Sequence, residues 1–115
     1  MFQQIITEVL VQRTRAESVA AIWNAFFERF PDWKEINNAP VEDIQKQIKP
    51  LGIWRRRSIT LKNLAHEMVQ RQGCFPNNRN EIDKLPGVGQ YVGNAIEMFY
   101  FDRPTIFSIK FNNQV

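Results

Sequence analysis

Between two stretches of helical patterning the chain reads Leu85-Pro86-Gly87-Val88-Gly89, followed at once by Gln90-Tyr91-Val92-Gly93-Asn94-Ala95-Ile96. No other segment narrows the choice of fold as much. Glycine reaches positive φ at no steric cost and lets another backbone come close. Pro86 suits a turn and would break a longer helix. The segment therefore predicts a tight turn with open backbone N–H groups, from which a second helix starts. Open N–H groups at a helix N-terminus form a site for an anion such as phosphate. The same residues also fit an ordinary corner between two helices, and a Gly-x-Gly pair alone does not separate the two readings.

The rest of the chain reads as helix. Apolar residues recur at helical spacing over 2–12 (Ile5, Ile6, Val9, Leu10) and 17–30 (Val19, Ile22, Trp23, Phe26, Phe27, Phe30). Pro31 ends the second segment, and Asn37-Asn38-Ala39-Pro40 reads as a break. A short helix over 41–48 opens with Glu42 and Asp43, which suit a helix N-terminus. After Pro50-Leu51-Gly52, a long helix over 54–72 has Ile59, Leu61, Leu64, Ala65, Met68 and Val69 as its inner face, with Gly73 as its cap. The hairpin arms fall at 81–84 and 90–101. The expectation is all-α: a six-helix bundle, packed in sequence order, that contains a helix-hairpin-helix element.

At 115 residues the chain is one domain, 1–115, with the hairpin at about 80–101. Both ends read as those of a fragment, opening inside a helical pattern and closing without a terminating element. No apolar run approaches the roughly 20 residues of a membrane span, and no signal-peptide pattern opens the chain. A cytoplasmic monomer is expected, nucleoid-associated if bacterial. The single cysteine, Cys74, can form no internal disulfide and cannot hold zinc or an iron–sulfur cluster alone, so no metal site is expected. It reads as a small buried or half-buried filler. His66 lies mid-helix without a ligand-type partner and reads as structural or solvated. The net charge is +3. Its placement is more telling: Arg13 with Arg15; Arg55-Arg56-Arg57 between Lys49 and Lys62; Arg79 and Lys84 beside the glycine turn. A single run of this kind is ordinarily a solvated helix face. Several basic clusters, one beside an anion-binding turn, point to a polyanion partner.

Four motifs in order carry a family resemblance: Glu8-Val9-Leu10-Val11-Gln12-Arg13-Thr14, Pro50-Leu51-Gly52-Ile53-Trp54-Arg55-Arg56-Arg57, Leu85-Pro86-Gly87-Val88-Gly89-Gln90-Tyr91 and Arg103-Pro104-Thr105-Ile106-Phe107. Together they resemble the helix-hairpin-helix DNA glycosylase superfamily, and within it the adenine and thymine-mismatch glycosylases. The resemblance spans nearly the whole chain and implies double-stranded DNA as partner. It also implies a base flipped out of the duplex and hydrolysis of its N-glycosidic bond. Bond breakage builds positive charge on the sugar, so the chemistry wants a nearby anion and, for a purine, an acid for the leaving base.

The resemblance assigns the acid to Glu8, placed against an apolar wall by Ile5, Val9, Leu10 and Val11. An exposed glutamate paired with Gln12 or Arg13 is the alternative. Gln12 and Arg13 match residues that approach the gap left by the flipped base. Arg55, Arg56, Leu85, Gly87, Val88, Gly89 and Gln90 join the DNA-binding set. Tyr91 stands where bifunctional relatives carry an imine-forming lysine, which implies a monofunctional enzyme without lyase activity. Its alternative is a tyrosine packed on the hairpin helix. Ser108 falls at the family's catalytic aspartate and cannot supply a fixed negative charge. No iron–sulfur ligands are present and no cofactor is implied, although the hairpin turn has room in this scheme for a monovalent cation. A non-catalytic DNA-binding module on the same fold is the second reading, and a protein-interaction helical domain the third. Of Trp23, Trp33 and Trp54, Trp54 beside the arginine run is the candidate for contact with a partner.

Overall fold

The computed structural model describes residues 2–101. Among these there are helices and turns but no strand, as the periodicity predicted. The helices are α1 (Phe2–Val11), α2 (Ala16–Arg29), α3 (Trp33–Asn38), α4 (Val41–Ile48), α5 (Trp54–Gln70), α6 (Arg79–Asp83) and α7 (Gln90–Phe99), with a 3₁₀ turn at Lys49–Leu51. Seven α-helices rather than six are described, because the stretch before Pro40 is helical up to Asn38. The Asp32 side chain accepts the Glu35 N–H at 2.9 Å and starts α3. Ala39 is extended at φ −76, ψ 145, the conformation favoured before proline, so the break falls one residue before Pro40. Asp32 followed three residues later by Glu35 was the legible start signal.

The core is the set of inward faces that the spacing foretold. Ile5, Ile6, Phe26, Phe30, Ile36, Ile44, Ile48, Leu61, Leu64, Met68, Ile82 and Ile96 are fully buried. Ile59 departs from the expectation: it is exposed, because Arg57, Ser58 and Leu61 occupy the inner side of that part of α5. The end of α5 is a Schellman-type cap with Gln72 at φ 57; Gly73 N–H bonds to Met68 O at 2.8 Å and Gln72 N–H to Val69 O at 3.0 Å. Packing is not purely sequential. α3 and α4 lie along α5, α2 contacts α4, and α1 packs on both α2 and the sequence-distant α7.

Three basic residues of the supposed polyanion surface serve the fold instead. Lys62 Nζ donates to the Asn37 and Ala39 carbonyls, each at 2.7 Å, closing the end of α3. Arg57 is buried and caps α1. Arg79 ties the hairpin arms together, with Nε 2.8 Å from Asp83 Oδ1, Nη1 2.8 Å from Asn94 Oδ1 and Nη2 3.1 Å from Gln90 O. Gly93 makes this possible: a Cβ there would lie 2.7–2.9 Å from Asp83 Oδ1 and the Arg79 guanidinium. Arg79 is thus tied into the hairpin and partly exposed, and of the two flanking cations Lys84 is the exposed one, 3.6 Å from Glu81. Cys74 is exposed, not a buried filler, since it lies in the polar loop beyond α5. His66 is exposed on α5.

Candidate nucleic-acid interface

A cleft of about 680 Å³ opens between the end of α1, the start of α5 and the glycine turn. Gln12, Arg13, Arg55, Arg56 and Gly87 all line it, so five of the residues singled out in sequence meet in one place. Val9, Ile53, Trp54, Arg57 and Thr60 complete its wall, and none of its lining residues is a carboxylate. Arg13, Arg55 and Arg56 are exposed, and none of the three pairs with a carboxylate among the described residues. Three uncompensated cations on one concave surface repel each other and create a local positive potential that a polyanion relieves.

Trp54 is half-buried at the mouth of α5, with the Arg55 guanidinium 4.7 Å and Lys49 Nζ 5.5 Å from its ring centroid. Ile53 precedes it at φ 32, ψ 35 and is 54% exposed. A β-branched residue in the left-handed region is strained. Sequence reasoning passed over Ile53 as a site residue. Its signal was an apolar residue stranded between Gly52 and the first turn of a helix, out of phase with that helix's inner face.

The glycine turn has the expected shape with unequal roles for its two glycines. Gly87 sits at φ 74, and a Cβ on it would meet Thr60 Cγ2 at 2.4 Å. Gly89 is the N-terminal cap of α7 at φ −93, ψ −167, a conformation open to any residue, and nothing lies within 4 Å of the site of its missing Cβ. Of the two glycines, only Gly87 therefore relieves crowding inside the turn. Gly89 faces open space, with no side chain capping the helix end, so the first N–H groups of α7 have no intrahelical acceptor there. Leu85 and Val88 are 5% and 6% exposed; their side chains anchor the turn in the core and only their backbone is available to a partner. Gln90 is exposed at the helix start.

Contact between α1 and α7 brings Glu8 and Tyr91 together. Tyr91 remains 48% exposed, with its hydroxyl against the Glu8 carboxylate. Its pKa is raised by burial first, then by the Glu8 charge and by a hydrogen bond to Glu8. Glu8 is half-buried, and its Oε2 is buried without a hydrogen-bond partner. It lines a smaller cleft of about 300 Å³ with Thr7, Trp23 and Phe99. The apolar wall beside it is thus Trp23 and Phe99; Ile5, Val9 and Leu10 point into the core. Trp23 is fixed by its Nε1 donating to Thr7 Oγ1 at 2.9 Å. Ser108 lies outside the described residues. Among the described residues no group of three His, Cys, Asp or Glu side chains could hold a metal ion, and no helix is long and apolar enough to cross a membrane.

An all-α fold whose hairpin turn opens beside an uncompensated basic cleft is the helix-hairpin-helix class. Residues 6–112 match the HhH-GPD superfamily base excision DNA repair protein family, and the chain belongs to it. It is 36% identical over 100 residues to a thymine/uracil-DNA glycosylase of Methanothermobacter thermautotrophicus, covering 86% of this chain and 45% of that protein. It is 30% identical over 106 residues to endonuclease III of Thermotoga maritima, covering 91% and 50%. Among solved structures, a thermostable thymine-DNA glycosylase superposes with a TM-score of 0.82 at 35% identity, over 89% of this chain and 48% of that one. A non-covalent endonuclease III–DNA complex superposes at 0.80 and 25% identity, with the same coverage. The chain thus spans about half the length of these relatives.

Proposed function

We propose that this chain is the duplex-binding and base-releasing portion of a base-excision repair glycosylase that acts on a mismatched base without cutting the strand. The observation that carries the reading is the cleft where the guanidiniums of Arg13, Arg55 and Arg56, none paired with a carboxylate among the described residues, run up to the Gly87 turn. Backbone N–H groups at the start of α7 and these cations grip phosphates, and such contacts position the duplex without reading its sequence. The names of the relatives, thymine/uracil-DNA glycosylase and adenine DNA glycosylase among them, support the same assignment.

Glu8 is the acid of the proposal. Its proton passes to the leaving base as the N-glycosidic bond breaks, and a water that the resulting carboxylate positions adds to the sugar and returns its proton to Glu8. Tyr91 holds the carboxylate from α7 and has no amine with which to form an imine, which closes the lyase route. These roles are filled by side chains, so the proposal includes no resident cofactor. Ser108 supplies no fixed anion for the sugar cation, so base release by this chain is slow.

The test is single-turnover base release on duplexes carrying G·A, G·T and G·U pairs, comparing the parent chain with Ser108→Asp and Ser108→Asn at equal duplex occupancy. Ser108→Asp should raise release by orders of magnitude over Ser108→Asn, each ~1.4 kcal/mol being about tenfold in rate. Borohydride should trap no covalent complex on an abasic duplex. Equal release by the two variants with tight binding would make the chain a non-catalytic binding module. Failure to bind any duplex would remove the nucleic-acid reading itself.

A further inference from the structure

Arg57 lines the cleft with Arg55 and Arg56 but is the buried member of the 55–57 run. It is 9% exposed, and its guanidinium reaches from the first turn of α5 to the end of α1. Nη1 donates to the Leu10 carbonyl at 2.6 Å and Nη2 to the Gln12 carbonyl at 2.5 Å. Thr14 Oγ1 donates to the same Leu10 carbonyl, and Thr14 N–H bonds back to Val11 O at 3.2 Å. Between these bonds Arg13 turns into the left-handed region at φ 60. The exit of α1 is therefore held by donors from two elements, and Arg57 is the one that comes from across the cleft.

The arrangement opposes ordinary preference. Burial works against the Arg57 charge, and the neighbouring Arg13 charge adds to the opposition. No carboxylate pairs with Arg57 among the described residues. A buried cation without a counter-charge is tolerated for the carbonyls it satisfies. Three residues further along α5, Thr60 packs under the Gly87 turn. Positions three apart share a helix face. One face of α5 thus sets both the α1 exit and the hairpin turn, the two rims of the cleft.

We infer that Arg57 is a positioning residue: its two-pronged grip on the Leu10 and Gln12 carbonyls fixes Gln12 and Arg13 opposite the Gly87 turn, in register for a duplex that lacks a stacked base. The inference rests on the duplex-binding reading for its consequence, but its geometry can be read without DNA. Arg57→Met keeps the apolar stem and removes both donors; Arg57→Lys keeps the charge but offers one ammonium in place of the two-pronged fork, so its recovery is partial. Amide exchange at Thr14, relative to core amides, should accelerate in Arg57→Met and recover toward the parent in Arg57→Lys. Binding is then measured on a fully paired duplex and on the same duplex with a central tetrahydrofuran abasic analogue.

Arg57→Met should lose about tenfold or more of the preference for the abasic duplex, the scale of a lost pair of charge-assisted bonds. Binding to the paired duplex should change far less. In a Gln12→Ala/Arg13→Ala background the substitution should have no further effect on that preference. Equal losses in both backgrounds, or unchanged Thr14 exchange in a folded Arg57→Met, would overturn the inference. If the parent binds no duplex, the function reading fails and Thr14 exchange alone decides the positioning role. If Arg57→Met does not fold, Arg57→Lys carries the comparison, with intermediate exchange and preference expected and parent values in both overturning the inference.

Discussion

Alanine at Gly87 and at Gly89 should produce opposite phenotypes, although the two residues stand two apart in one turn. At Gly87 the backbone is at φ 74, so alanine incurs the left-handed penalty of ~1–2 kcal/mol. The new Cβ would also stand 2.4 Å from Thr60 Cγ2, far inside an ordinary carbon contact of ~3.5–4.0 Å. Thr60 is β-branched and cannot easily swing aside, which adds the ~1–3 kcal/mol typical of overpacking. The sum of about 2–5 kcal/mol should lower the melting temperature by roughly 8–20 °C in a domain of this size. Thr60→Ser removes Cγ2 and leaves Cβ at 3.9 Å, an ordinary contact, so the double variant should retain only the backbone part, ~1–2 kcal/mol. At Gly89 the backbone suits any residue and the Cβ meets nothing, so Gly89→Ala should melt with the parent or up to ~1 kcal/mol above it. Its methyl group nevertheless projects where a phosphate would approach the start of α7, and duplex binding should weaken for all sequences alike. Thermal melts and duplex titrations on the four proteins separate these effects. A Gly87→Ala protein as stable as the parent, or one that Thr60→Ser does not rescue, would refute the steric argument. Full duplex affinity in Gly89→Ala would refute the backbone approach.

Two further outcomes follow from the site. In a Tyr100→Phe background, which leaves Tyr91 as the single tyrosine, alkaline titration should place the Tyr91 hydroxyl above the ordinary value of about 10, and Glu8→Gln should bring it down. Because the folded pKa is the higher one, the Tyr91 contribution to stability is complete below about pH 10 and is lost as pH rises through the folded value; a Tyr91 pKa at or below the ordinary value would show that the pair does not form. Ile53→Asn should raise stability by about 1 kcal/mol in urea melts, since asparagine tolerates the left-handed region and a side chain 54% exposed loses little burial; a loss of stability would show that Ile53 is held by packing instead.

Much of this protein was legible one segment at a time. Helical spacing located α1, α2, α4 and α5, and the Pro86-Gly87-Val88-Gly89 punctuation located the hairpin, because these signals depend on residues within a turn or two of one another. The order of four motifs was enough for the family. The boundary of α3 was legible too, in the Asp32 and Glu35 pair, but Asn37 and Asn38 before Pro40 read more strongly as a break.

The fate of each charge was not legible. Arg55, Arg56 and Arg57 are adjacent in sequence and all line the cleft, yet two are exposed there and one is buried on the Leu10 and Gln12 carbonyls. Lys62 and Arg79 looked like members of a basic surface and are tied to partners within the fold. A cation's role depends on which carbonyl or carboxylate the packed helices bring within about 3 Å of it, and those partners lie up to 47 residues away along the chain. The same holds for Glu8 with Tyr91 and for the difference between Gly87 and Gly89, which is set by Thr60 on another helix. Local sequence determined the helices, the turn and the chemical inventory, because short-range sterics and periodicity act within a segment. Tertiary packing alone decided which of those groups stand free to meet a partner, because exposure and hydrogen bonding are properties of neighbours distant in the chain.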